Sequence, residues 1–219
     1  MIAYYAQPNR FHPRLLRILK QHYKSNSSIF SHITINNIQY ALHLTNHQIE
    51  EITIEKILKA KSADFFSGVL HPKYNSLLQP DFSFTIISEP VNRIYQLFHI
   101  IKFLEKEYMK EGIIQKIFNT ECLTIEYFID NLLENEYHKN VISEHIFLLP
   151  EEIETTLDFV GIAEESERTK NLLEKYLNIE LNEFDFTERK DRCIYRIQDV
   201  RDSLEKELDL YYRLRSKLL

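Results

Sequence analysis

Short runs of β-branched and aromatic residues alternate along this chain with stretches whose apolar residues recur at helical spacing, and this alternation constrains the fold most. Strand followed by helix, repeated, points to an α/β fold with a central, mainly parallel sheet flanked by helices. Ile2-Ala3-Tyr4-Tyr5 is the first such run, with Gln7-Pro8-Asn9 closing it as a turn. Pro13 suits the first turn of a helix, where no backbone N–H is needed, and Leu15, Leu16, Leu19 and Tyr23 share a face of it, with Arg14, Arg17 and Lys20 on others. Lys24 to Ser28 reads as a loop, residues 33–44 fit strand or helix, and Ile52 to Ala60 reads as a helix.

Asp64 to Gly68 and Phe82 to Ile87 read as buried strands, the second broken by Ser88-Glu89-Pro90. From Val91, the positions Val91, Ile94, Tyr95, Phe98, Ile101, Leu104 and Tyr108 form one stripe of a long amphipathic helix. Residues 110–150 read as mostly helical, with Leu123, Phe128, Ile129, Leu132 and Leu133 as an apolar face, so a helical insertion at about 105–150 is expected within a single domain spanning 1–219. Leu157 to Ile162 is a further strand, followed by an acidic-first helix to Leu177. Ile197 to Leu218 reads as one periodic helix with Leu204, Leu208, Tyr211, Tyr212 and Leu218 inward.

Composition narrows the function classes. A formal charge of −6 gives no overall positive field for a nucleic-acid backbone, so no nucleic-acid partner is expected. No stretch approaches the roughly 18 apolar residues of a membrane span. Cys122 and Cys193 lie far apart, outside metal or redox spacings, which suits a reducing compartment, and a cytoplasmic location is expected. His43 and His47 have the spacing of two ligands on one helix face but no marked third ligand, so they read as a surface pair and no metal is expected. Only three glycines among 219 residues put any glycine-rich phosphate loop at a disadvantage.

Three segments, in this order, resemble the sulfotransferase family that includes the carbohydrate sulfotransferases, which use 3′-phosphoadenosine 5′-phosphosulfate (PAPS). Phe84 to Ile94 (FTIISEPVNRI) is similar to the family's strand, Arg-Asp-Pro-Val-x-Arg, helix, where the 3′-phosphate binds; Pro90, Val91 and Arg93 match. Leu157 to Glu164 (LDFVGIAE) resembles its late Phe-Val-Gly-x-x-Glu strand, and Glu207 to Tyr211 (ELDLY) its closing Asp-x-x-Leu-Tyr helix. The resemblance covers most of the chain at low similarity. It implies a P-loop-like, sulfotransferase-like fold and transfer of a sulfuryl group from PAPS to a hydroxyl of a carbohydrate or small metabolite.

Several family groups are replaced. In place of the 5′-phosphosulfate loop Pro-Lys-x-Gly-Thr-x-Ser-Leu stands Pro8-Asn9-Arg10-Phe11-His12-Pro13-Arg14-Leu15, where only the proline and leucine survive. Such a loop works because glycine lets backbone N–H groups approach the anion while lysine supplies charge. Asn9 carries no charge, so Arg10 or Arg14 would replace the lysine's charge, though not its geometry. At the 3′-phosphate, Ser88 stands in place of the family's arginine and Gln96 in place of its serine, which leaves Arg93. The general base is expected at His71, which Gly68-Val69-Leu70-His71-Pro72 sets two places beyond the histidine of the family's Gly-His-Phe-Pro. Two readings therefore stand side by side: a PAPS-dependent transferase, or a catalytically silent descendant acting as a binding or assembly module with a homo-oligomeric or protein partner.

Overall fold

The computed structural model describes residues 1–6, 13–23, 27–30, 46–68, 72–96, 98–99, 123–134, 153–181 and 195–219. Among them five strands form one sheet: β1 (Ile2–Tyr5), β2 (Ser27–Phe30), β3 (Phe65–Gly68), β4 (Phe82–Ile87) and β5 (Phe159–Ile162). Every pairing is parallel and the order is β2-β3-β1-β4-β5. Ile2 stands opposite Phe65 on one side and Phe82 on the other, so β1 is central. All four residues of β3 are buried, as are Ser83 to Ile87 of β4. Covering both faces is what turns these strands into continuous apolar runs instead of alternating ones.

The helices are α1 (Pro13–His22), α2 (Asn46–Ala60), α3 (Asn75–Leu78), α4 (helical at 90–96 and 98–99), α5 (Ile125–Glu134), α6 (Ile153–Thr156), α7 (Ser166–Leu177), α8 (Ile197–Ser203) and α9 (Glu205–Leu218). Three expectations need correction. Ser27 and Ser28 belong to β2, not to a loop, because pairing with Phe65 and Phe66 of β3 overrides their weak strand propensity. The single C-terminal helix is two, since Leu204 leaves the helical region at φ −115°, ψ 21°. Tyr212 is 43% exposed while Tyr211 is fully buried, because neighbours on a helix point about 100° apart and only one of them faces the core. The turn at 7–9, the segment 33–44, the stripe positions Ile101, Leu104 and Tyr108, and both ends of the helical insertion lie outside the described residues.

The chain divides into two compact units, one of Met1–Ile87, Pro150–Thr187 and Leu214–Leu219, the other of Ser88–Leu149 and Glu188–Arg213. The first holds the sheet. Its connection from β1 to β2 passes β3, whereas that from β3 to β4 returns past β1. Right-handed crossovers in opposite directions place their helices on opposite faces, consistent with α1 packing on β3 and α2 on α3. The carboxyl end of β1 is therefore a topological switch point, the place where open parallel sheets bind ligands. At β5, the Thr169 hydroxyl of α7 donates to the Ile162 carbonyl at 2.7 Å and accepts from the Ile162 N–H at 3.0 Å, drawing α7 onto the strand at Gly161.

The second unit is built on α4. Val91, Ile94, Tyr95 and Phe98 pack with Leu123, Phe128, Ile129, Leu132, Val200 and Leu208 in one core, which fulfils the described half of the expected stripe. Beside this core Arg196, at φ 45° in the left-handed region, ties α8 to α5. Its Nη1 donates to Asp130 at 2.7 Å and Glu134 at 3.0 Å, and its Nε to Asp199 at 2.7 Å. The Tyr195 hydroxyl donates to Asp130 at 3.0 Å, and the Tyr195 carbonyl accepts from the Tyr95 hydroxyl at 3.1 Å.

Candidate functional site

The corner that follows β4 is shaped by how α4 begins. Glu89 is the capping residue: its Oε2 accepts from the Asn92 N–H at 3.0 Å, and its carbonyl accepts from the Arg93 N–H at 3.2 Å. Pro90 occupies the first helical position, where its missing N–H costs nothing. Glu-Pro at the strand's end is thus a helix-start signal in its own right.

Two expected phosphate-binding residues flank this cap. Ser88 is 0% exposed and Arg93 1% exposed, and Arg93 is the largest fully buried side chain among the described residues. Burying a guanidinium is expensive unless anionic or hydrogen-bonding groups surround it. The Ser88 Oγ and the Gln96 Oε1 are buried with no hydrogen-bond partner among the described residues, although buried hydroxyls and amides are ordinarily paired. Ser88 thus lies just before the cap, Arg93 in the first turn and Gln96 nearly two turns into α4, each with buried polar atoms.

Sequence reasoning missed one cation here. Arg201, from α8, brings its Nη1 to 3.6 Å from the Glu89 Oε1, and its Nη2 donates to the Tyr212 hydroxyl at 3.3 Å. Nothing local marks Arg201, because its place depends on a contact between segments far apart in sequence. The exposed Tyr212, expected inside the fold, is what steadies it.

In the first unit, Arg14 stands exposed in the first turn of α1. Asn9, Arg10 and His71 lie outside the described residues, as do His43, Cys122 and Cys193. Below the carboxyl end of β1 a polar chain crosses the sheet. The buried Tyr5 hydroxyl donates to the Asn75 Oδ1 at 3.0 Å, and the Asn75 Nδ2 donates to the Thr156 carbonyl at 2.7 Å and the Ser83 Oγ at 3.2 Å. The Ser83 Oγ in turn donates to the Asp158 Oδ2 at 2.7 Å. Burial pushes the Tyr5 phenol above its ordinary pKa, so this hydroxyl is a fixed donor and not a base at neutral pH. The Ser67 Oγ in β3 is likewise buried without a partner among the described residues.

Among the described residues no three His, Cys, Asp or Glu side chains are grouped to hold a metal ion, and no helix is long and apolar enough to cross a membrane. No family model, curated protein or solved structure matches this chain.

Proposed function

We propose that this is a sulfotransferase-like protein that takes PAPS as donor and a hydroxyl of a carbohydrate or small metabolite as acceptor. The observation that carries the reading is the corner after β4, where Ser88 and Arg93, both buried, flank the first turn of a helix leaving a parallel strand. In this reading Arg93 and Ser88 meet the 3′-phosphate. His71 acts as the base, and Asn9 with Arg10 or Arg14 forms the degraded 5′-phosphosulfate loop, as the resemblance assigns them. The acceptor oxygen attacks sulfur in line, a new S–O bond forms, the bond from sulfur to the 5′-phosphate oxygen breaks, and the base takes the acceptor's proton. Adenosine 3′,5′-bisphosphate leaves. A cytoplasmic location belongs to the same reading, supported by two cysteines whose spacing suits a reducing compartment.

Calorimetric titration with adenosine 3′,5′-bisphosphate tests it. Micromolar binding, tighter than that of 5′-AMP and weakened about tenfold or more by Arg93→Ala, is the expected result. Absence of heat at millimolar ligand ends the reading. Because Arg93 is buried, the comparison of the two nucleotides on the unaltered chain decides the matter if that variant does not fold.

One observation favours the silent binding or assembly module instead. The Glu89 carboxylate already occupies an N–H at the start of α4, where a phosphate would otherwise approach. That reading expects no nucleotide binding and either a stable oligomer by light scattering or a co-purifying macromolecule; a strict monomer with no captured partner counts against it.

A further inference from the structure

Opposite charges are segregated onto two helices of this chain. On α1 the apolar residues Leu15, Leu16 and Leu19 are buried, and the exposed residues include Arg14, Arg17 and Lys20, with no acidic residue in the helix. None of these three cations has an ion pair among the described residues. Spaced three apart, each repels the next, a cost that a solvated helix usually avoids by interleaving signs. α2 does so, pairing Lys59 with Glu55 at 2.6 Å. α5 is the reverse of α1: Glu126, Asp130 and Glu134 recur every four residues along one stripe, with no basic residue in the helix. Arg196 adds one positive charge there and Asp199 another negative one, which leaves a local excess of three negative charges among the described residues. Tyr127, next to Glu126, presents an exposed aromatic ring from the same helix.

We infer that the basic face of α1 docks on the acidic stripe of α5 in a second copy of this chain, with Tyr127 receiving an arginine of α1 on its ring. The charges match in number, three against three, and both helices have ten residues, so the two charged rods are of equal length. Arginine and tyrosine are also side chains that interface centres favour, and a guanidinium over an aromatic ring gains a cation–π contact. Other anionic partners fit less well. A membrane surface holds a helix through its apolar face, which in α1 is already buried in the fold. A long polyanion such as a nucleic acid meets a chain whose formal charge is −6. A second copy brings the complementary stripe at the same concentration as the basic face. The contact needs no nucleotide and stands under either functional reading.

Sedimentation velocity over a range of salt tests the contact on the full chain, with circular dichroism confirming that each variant is folded. Reversible self-association at about 100 µM chain in about 20 mM salt, lost by about 0.5 M, is expected, because salt screens attraction between exposed charges. Arg17→Glu/Lys20→Glu and Glu126→Lys/Glu134→Lys are each expected to stay monomeric in low salt, since like charges then face each other. Mixing the two variants is expected to restore association, because each keeps the face that the other has lost. Glu126→Lys alone, which leaves the Arg196 ion pairs intact, takes the place of its double variant if that does not fold. A strict monomer of the unaltered chain at about 100 µM in low salt overturns the inference, as does a mixture that fails to associate. Association that survives about 0.5 M salt and both reversals overturns it too, while leaving the assembly module standing.

Discussion

Gly161 is the residue whose identity the packing dictates most directly. A Cβ there would lie 2.5 Å from the Thr169 Cγ2 and 3.3 Å from both the Ile86 Cγ1 and the Phe159 Cε1. The Thr169 hydroxyl cannot retreat without giving up both of its bonds to Ile162. Gly161→Ala is therefore expected to cost about 1–3 kcal/mol by urea unfolding. Thr169→Ser, which keeps the hydroxyl and deletes the obstructing methyl, should recover much of that loss in the double variant. If the two costs simply add, the close approach is not the cause. The glycine of the Phe-Val-Gly match is thus accounted for by helix-on-strand packing. At the same scale, Arg93 was legible as a candidate from its place after Pro90-Val91, but its burial was not, since an arginine in a helix's first turn is ordinarily solvated.

Among the elements, β1, β3, β4 and β5 were legible because each is a short run rich in aromatic or β-branched residues, and α1, α4 and α5 because their apolar residues keep one face. β2 was not, because Ser27-Ser28 becomes strand only through its partner β3. The break at Leu204 was hidden by periodicity that continues across it. The joint between α5 and α8 makes a prediction of its own. Hydrogen bonding from Arg196, and then from Tyr195, holds the Asp130 carboxyl below its ordinary value of 3.8. A carboxyl depressed in the folded state adds stability above its unfolded pKa and loses it as pH falls through the folded one. Acid unfolding of Asp130→Asn should therefore show a shallower dependence on pH below about 4 than that of the unaltered chain, read by circular dichroism. Equal slopes would mean that the Arg196 cluster, exposed as it is, contributes nothing measurable.

For the whole molecule, alternation predicted the parallel α/β class, but the strand order did not follow from it. Crossing past a neighbouring strand leaves no local mark, so the switch point at β1 emerges only once the strands are paired. The corner at α4 was half legible: Ser88 and Arg93 could be named from sequence, whereas Arg201 could be placed only by tertiary contact. Under the transferase reading, adenosine 3′,5′-bisphosphate at about a hundredfold excess over its Kd should stabilise the fold by roughly 2.7 kcal/mol. For a chain of this length that corresponds to a rise in Tm of roughly 5–10 °C by differential scanning fluorimetry. No shift at millimolar nucleotide would speak for the silent module.

The fifth strand also has a consequence for how the protein is made. It pairs with β4, yet the whole Ser88–Leu149 segment is synthesised between them. While the ribosome is still translating that segment, the emerging sheet ends at β4 with an uncapped, aromatic-rich margin exposed to other chains. Slowed elongation there, or a scarcity of chaperones, should send nascent chains into aggregates well before any defect appears in the finished protein.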